Sequence, residues 1–228
     1  MSGRAEVKVT SFTKEMWKAL RKRGQFDFNK LIPEPKRIGN TVTDDVVDDC
    51  IILYLVTKMK NADTDTLMQA FEKYQVAGPF RPSYGMKDKT PAIDINMPRA
   101  ELEDKMRKTI DGQSLRMYYK EERYTDHGHT ADQVGRHYVK LMDETGYKNW
   151  LNWRVANWGC YVDACRTEYD AENETLWFTT KGLPVEILES LCAKYPDAPF
   201  SITFWVDDGS GGVYRGKNKN GEWDYDIH

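Results

Sequence analysis

Residues 4–10, Arg4-Ala5-Glu6-Val7-Lys8-Val9-Thr10, alternate polar and apolar with period two, which predicts a half-buried strand. Thr13 then stands as an N-cap before a helix from Lys14 to Arg23, with Met16, Trp17 and Leu20 on one face and Gly24 as its stop. Phe26 to Ile32 alternates only in part and reads as a short strand or extended loop, ended by Pro33 and Pro35. Helical spacing follows. Asp44 is placed to cap a helix through Lys58, with Val46, Val47, Cys50, Ile51, Tyr54 and Leu55 inward. Asp63 or Thr64 caps another, carrying Leu67, Met68, Phe71 and Tyr74. Residues 77–97 hold Gly78, Pro79, Pro82, Gly85 and Pro91 and predict a long irregular connection. Pro98 suits the first position of a helix from Arg99 to Ile110. Asp111-Gly112 interrupts it, and a second piece runs to Glu122. Thr130 caps a helix to Glu144, with Gly146 as its stop.

After residue 147 the pattern returns to strands. Lys148 to Trp158 predicts a short helix, and Val162–Tyr169 and Thr175–Thr180 predict a hairpin. Pro184 opens a helix to Lys194. Phe200–Val206 is the clearest strand, turned by Asp208–Gly212 into Val213–Gly216, with Asn218–Gly221 turning again into Trp223–Tyr225. A strand and one helix cannot bury their own apolar face. A C-terminal sheet with one helix lacks a second helix to cover it. Joining the two ends removes both deficits. The expectation is an α+β fold: a split βαβ sheet with helices on one face, built from residues 1–36 and 146–228. A mostly helical insertion, 37–145, interrupts it.

Composition changes this picture little. The chain has 228 residues, 40% hydrophobic and 12% aromatic, enough for a packed core and against disorder. No apolar run reaches the roughly 18 residues of a membrane span. The longest candidate, Val46–Val56, is broken by Asp48 and Asp49. The N-terminus has no apolar signal core, so a cytoplasmic protein without membrane contact is expected. Cys50, Cys160, Cys165 and Cys192 are too few and scattered for a disulfide framework and read as free thiols. Cys160 and Cys165 lack the spacing of a zinc knuckle.

Charge is more informative. The net charge of -3 does not point to a polyelectrolyte partner, yet its distribution is uneven. Residues 1–32 carry +5, residues 33–146 carry -3, and residues 147–228 carry -5. Much of the positive excess is Lys18, Arg21, Lys22 and Arg23. At a helix end these cations complement the dipole; the alternative is an anion or nucleic-acid contact.

Trp150, Trp153, Arg154, Asn157 and Trp158 recur at helical spacing on one face. The face either packs on the sheet, with Arg154 and Asn157 bonding backbone groups, or forms a binding hot spot. Asp126, His127, His129 and His137 lack the companion ligands of a metal site, and a solvated loop is favoured there. Asp207–Gly212 lacks the Gly-Lys-Ser/Thr ending of a phosphate loop and reads as a turn. Asp44-Asp45 and Asp48-Asp49 read as a helix start and a solvated face, or as charge offered to a basic partner. No catalytic set, cofactor site or metal site is nominated.

Phe28-Asn29-Lys30-Leu31-Ile32-Pro33-Glu34-Pro35 resembles an "FNKIIPxP" segment, and Gly146–Gly159 resembles "GYxxWYDWRxxNWGTKW". Lys181–Asp197 fits "PPxPVIEALxxKFP", and Phe200–Gly216 fits a closing strand, glycine turn and strand. Together they resemble the YubB-type ferredoxin-like domain family of bacteriophages and plasmids, over about half the chain. Two departures stand out: Cys160-Tyr161-Val162 follows Gly159 where the family has Thr-Lys-Trp, and Thr179–Pro184 lacks the Trp of "TAWSPP". The resemblance implies a fold and a mobile-element context, with no reaction.

Three functions are therefore weighed. The first is a non-catalytic accessory protein of the bacterial cytoplasm that binds and modulates a host or defence protein. The second is RNA or single-strand binding, which needs aromatics beside Lys or Arg on the open sheet face. The third is an enzyme acting on a nucleotide or a protein modification, which needs a cleft with perturbed acids or His. The first is favoured.

Overall fold

The computed structural model describes residues 3–43, 45–76, 96–110, 130–207 and 213–227. Expectations at Asp44, the 77–95 connection, Asp111–His129 and the Asp208–Gly212 turn lie outside them. The chain divides into two compact units, Met1–Pro35 with Leu151–His228, and Lys36–Trp150.

The first unit begins with β1 (Arg4–Thr10), whose Ala5, Val7 and Val9 are fully buried while Arg4 and Glu6 are exposed. Thr13 caps α1 (Lys14–Leu20), its hydroxyl accepting from the Met16 N–H at 3.3 Å. The helix stops three residues earlier than expected. Arg21–Lys22 is extended as β2 and pairs with β3 (Gln25–Phe26) across a turn at Arg23 and Gly24. Arg21 is the C-cap of α1 and Lys18 lies in its last turn, where cations complement the dipole, whereas Lys22 and Arg23 are carried past the helix end into the hairpin. A 3-10 turn (Phe28–Lys30) replaces the expected extension. Asp27 caps it, accepting from the Asn29 N–H.

In the second unit α2 (Lys36–Gly39) leads to α3 (Asp45–Lys58), α4 (Thr64–Lys73), α5 (Arg99–Ile110) and α6 (Ala131–Thr145). Val47, Cys50, Ile51, Ile52, Leu53, Leu55 and Val56 are all buried, so α3 is apolar nearly all round. It is the central helix, packed by α4, α5 and α6. Asp63 caps α4, and Thr130 with Gln133 makes a capping box on α6, which ends at a left-handed Gly146. Gly135 lets α6 meet α3: a Cβ there would lie 2.2 Å from the Cys50 carbonyl oxygen. Lys148 Nζ donates to Asp48 Oδ1 at 2.8 Å, so one of the acidic pairs is engaged inside this unit.

The chain returns to the first unit through α7 (Trp150–Trp158), then β4 (Cys165–Asp170), β5 (Thr175–Lys181), α8 (Val185–Lys194), β6 (Ser201–Asp207), β7 (Val213–Lys219) and β8 (Glu222–Ile227). With β1 they form one six-stranded sheet in the order β4-β5-β1-β6-β7-β8, antiparallel at every pairing. β1 therefore lies between β5 and β6, and the connection through α8 passes across it. The register fixes two faces. Val7 lies opposite Phe178 and Phe204, and Val9 opposite Leu176 and Ile202; all are buried. Phe26 and Phe28 pack on Phe178 at 5.2 and 5.7 Å between centroids, and Trp158 on Phe28 at 5.6 Å. Ile187, Leu188 and Leu191 of α8 complete this core.

Candidate functional site

Because side chains alternate along a strand, the even positions of β1 lie on the face opposite the core. Lys8 stands opposite Trp177 of β5 and Thr203 of β6; Glu6 stands opposite Thr179 and Trp205. The two half-buried tryptophans reach towards each other across β1 and stack, with centroids 5.6 Å apart and planes 6° from parallel. Lys8 Nζ sits 4.9 Å from the Trp177 ring centroid. Glu6, Glu168 and Arg215 around them are exposed. A solvated sheet face thus carries an apolar centre, pre-organised by stacking, inside a charged rim.

Charges of both signs pair along the rim. Arg4 Nη2 pairs with Glu6 at 2.9 Å. Register sets Lys217 and Lys219 of β7 opposite Asp224 and Glu222 of β8. Lys219 also pairs diagonally with Asp224. Cross-strand pairs of opposite charge stabilise a sheet modestly and leave little net field. Signals for this surface were present in the sequence as alternation in β5 and β6, but Trp177 and Trp205 lie 28 positions apart and only the register brings them together.

The residues singled out on α7 go elsewhere. Trp153 is 6% exposed and Trp158 is fully buried. Trp158 Nε1–H donates to the Ile32 carbonyl at 2.9 Å. Arg154 lies over the Trp158 ring at 4.8 Å, donates through Nε and Nη2 to Glu34 at 2.9 and 2.8 Å, and reaches the Tyr161 carbonyl at 3.4 Å. Asn157 Nδ2 donates to the Trp153 carbonyl at 2.8 Å. Trp150 is half-buried, its backbone N–H bonded to Thr41 Oγ1 at 2.8 Å. Arg154 and Trp158 join the "FNKLIPEP" segment to α7, whose Asn152, Val155 and Ala156 are exposed. Lys18, Arg21, Lys22 and Arg23 are all exposed, gathered around the β2–β3 hairpin.

Asp163 is displaced above the usual carboxylate range by burial, against bonds from the Phe28 and Ala164 N–H groups at 3.0 and 2.8 Å. It holds the chain entry into the 3-10 turn. Cys160 and Cys192 are pushed up to about 11 by burial, which makes them poor nucleophiles. His137 lies half-buried on α6, and no group of His, Cys, Asp and Glu among the described residues could hold a metal ion. No helix among them is long and apolar enough to cross a membrane. Comparison of the chain with protein-family models, curated proteins and solved structures finds no match.

Proposed function

We propose that this chain is a non-catalytic binding protein that docks a protein partner on the Trp177–Trp205 face of its sheet. The stacked pair carries the reading. Two rigid tryptophans at the centre of a patch, ringed by mixed charge, are the composition of an interface hot spot. The mixed-sign rim favours a protein, whose surface is mixed in sign too, over a polyanion. We read the sheet as ferredoxin-like. The order β4-β5-β1-β6 supports this, because β5 lies between β1 and β4 while β1 lies between β5 and β6, giving two interleaved split crossovers. On that reading β7 and β8 extend the platform at one edge. The resemblance to the YubB-type family supplies the setting: a phage- or plasmid-encoded accessory protein acting on a host or defence protein in the bacterial cytoplasm.

A second reading, single-stranded nucleic acid on the same face, is favoured by Lys8 beside Trp177. One experiment separates them. The tagged protein and its Trp177→Ala/Trp205→Ala variant are used to capture partners from bacterial lysate, and the captured protein is purified and rebound. The first reading expects a stoichiometric partner that rebinds directly and is weakened by about 2 kcal/mol or more in the variant. Equal capture by both forms overturns it. Recovery of nucleic acid alone, lost in high salt and lost in the double variant, establishes the second.

A further inference from the structure

The β2–β3 hairpin differs from the sheet rim in one physical respect: among the described residues its cations make no ion pair. Lys18, Arg21, Lys22 and Arg23 are exposed, and no ion pair joins any of them to another described residue. Residues 14–26 hold five cations and one carboxylate, Glu15. The backbone fixes how they are shown. Arg23 and Gly24 have φ of 53° and 78°, both left-handed, the two-residue turn whose twist matches a hairpin. Asn or Gly is the ordinary occupant of the first of these positions; arginine there is strained. Arg166, also exposed, is left-handed too, with φ 49°, beside the irregularity in β4. The neighbouring Thr167 ties β4 to the hairpin, accepting from the Phe26 N–H and donating its own N–H to Gln25 Oε1, both at 3.2 Å.

An aromatic column stands beside these cations. Trp17 stacks on Tyr169 at 5.3 Å with planes 20° apart, and the Arg21 guanidinium lies 5.9 Å from the Trp17 centroid. Phosphate recognition needs unpaired cations, and single-strand recognition adds a flat surface for an unpaired base. A guanidinium plane serves as such a surface as well as an aromatic ring does. We propose that the hairpin, with Lys18 and Arg166, holds the phosphate backbone of a single-stranded nucleic acid while a base stacks at the Arg21 end of the Trp17–Tyr169 column. This site is distinct from the sheet face and does not depend on it. Glu15, Asp170 and Glu174 lie close enough to act on the Tyr169 hydroxyl.

The test is fluorescence anisotropy of labelled oligothymidine, oligouridine and a duplex of the same length across a salt series, with the full chain. We expect single strands to bind more tightly than the duplex. The triple variant Arg21→Gln/Lys22→Gln/Arg23→Gln should lose at least ten-fold in affinity at low salt. Its slope of log K against log salt should be shallower by about two, at roughly 0.7 per lost phosphate contact. Trp17→Leu should weaken binding with the slope unchanged, and Trp205→Ala should bind as the parent does. Absence of single-strand binding, preference for the duplex, a triple variant that keeps the parent affinity and slope, or loss through Trp205→Ala would each overturn the proposal.

Discussion

The Arg154 guanidinium holds the Glu34 carboxylate through two parallel hydrogen bonds, Nε to Oε1 at 2.9 Å and Nη2 to Oε2 at 2.8 Å. Both side chains are mostly buried, at 25% and 9% exposure, and the guanidinium rests on the face of Trp158. A bidentate pair in this setting is strong while intact, and removing one partner leaves the other charge desolvated. We expect Glu34→Ala to cost about 2 kcal/mol, below the value for a fully buried pair because Arg154 keeps some solvent. Glu34→Ala/Arg154→Ala should cost less than the sum of the two single changes. Urea unfolding of the four proteins measures the coupling, and additivity within error would show that the pair does not hold the segment.

Gly135 tests the packing of α3 on α6. An added methyl would meet the Cys50 carbonyl oxygen at 2.2 Å and the Tyr54 Cβ at 2.7 Å, and neither is the loose end of a side chain. The helices must separate. Gly135→Ala should therefore destabilise by about 3 kcal/mol, despite the better helix propensity of alanine. A thermal melt unchanged from the parent would contradict the close approach.

Thiol reactivity should split cleanly. Cys165 is exposed, with its Sγ 3.1 Å from the Thr179 hydroxyl, whereas Cys50, Cys160 and Cys192 are buried. Burial also holds Cys160 and Cys192 up at about 11, so their thiolate fraction at neutral pH is small. A maleimide at pH 7 should label Cys165 quickly and the other three only on unfolding, as read by peptide mass. Rapid labelling of Cys160 in the native protein would contradict the placement.

Asp163 gives a pH effect of defined sign. Burial raises its folded-state value above the ordinary 3.8, so between the two values the folded chain binds more proton than the unfolded chain. Its contribution to stability is present below the ordinary value and is lost as pH rises through the raised one. Asp163→Asn keeps an acceptor for the Phe28 N–H and cannot ionise. Relative to the parent, it should gain stability as pH rises from about 4 to neutrality. Urea midpoints across that range check it; a constant difference would show that the carboxylate does not titrate differently on folding.

Local signals were legible where chemistry and geometry coincide within a few residues. Thr13, Asp63, Thr130 and Gly146 act as the caps their types suggested. The alternation of β1 placed Val7 and Val9 inward. The end of α1 was missed because Lys18–Arg23 has good helix propensity, and the pairing of Arg21 with Phe26 overrides it. The α7 face was legible as a motif, but its periodicity could not say which partner it meets. Trp158 packs against Phe28, a contact that no local pattern encodes. The same holds for the sheet surface. Trp177 and Trp205 each sit in a strand legible by alternation, yet their stacking depends on β1 being threaded between them.

Hydroxyl-radical footprinting of the purified complex tests the sheet-face assignment most directly. Oxidation of Trp177 and Trp205 should fall sharply when the partner is bound, while that of Met16 on α1 stays as in the free protein. Unaltered oxidation of both tryptophans in a complex that is protected elsewhere would mean that the partner docks on another surface.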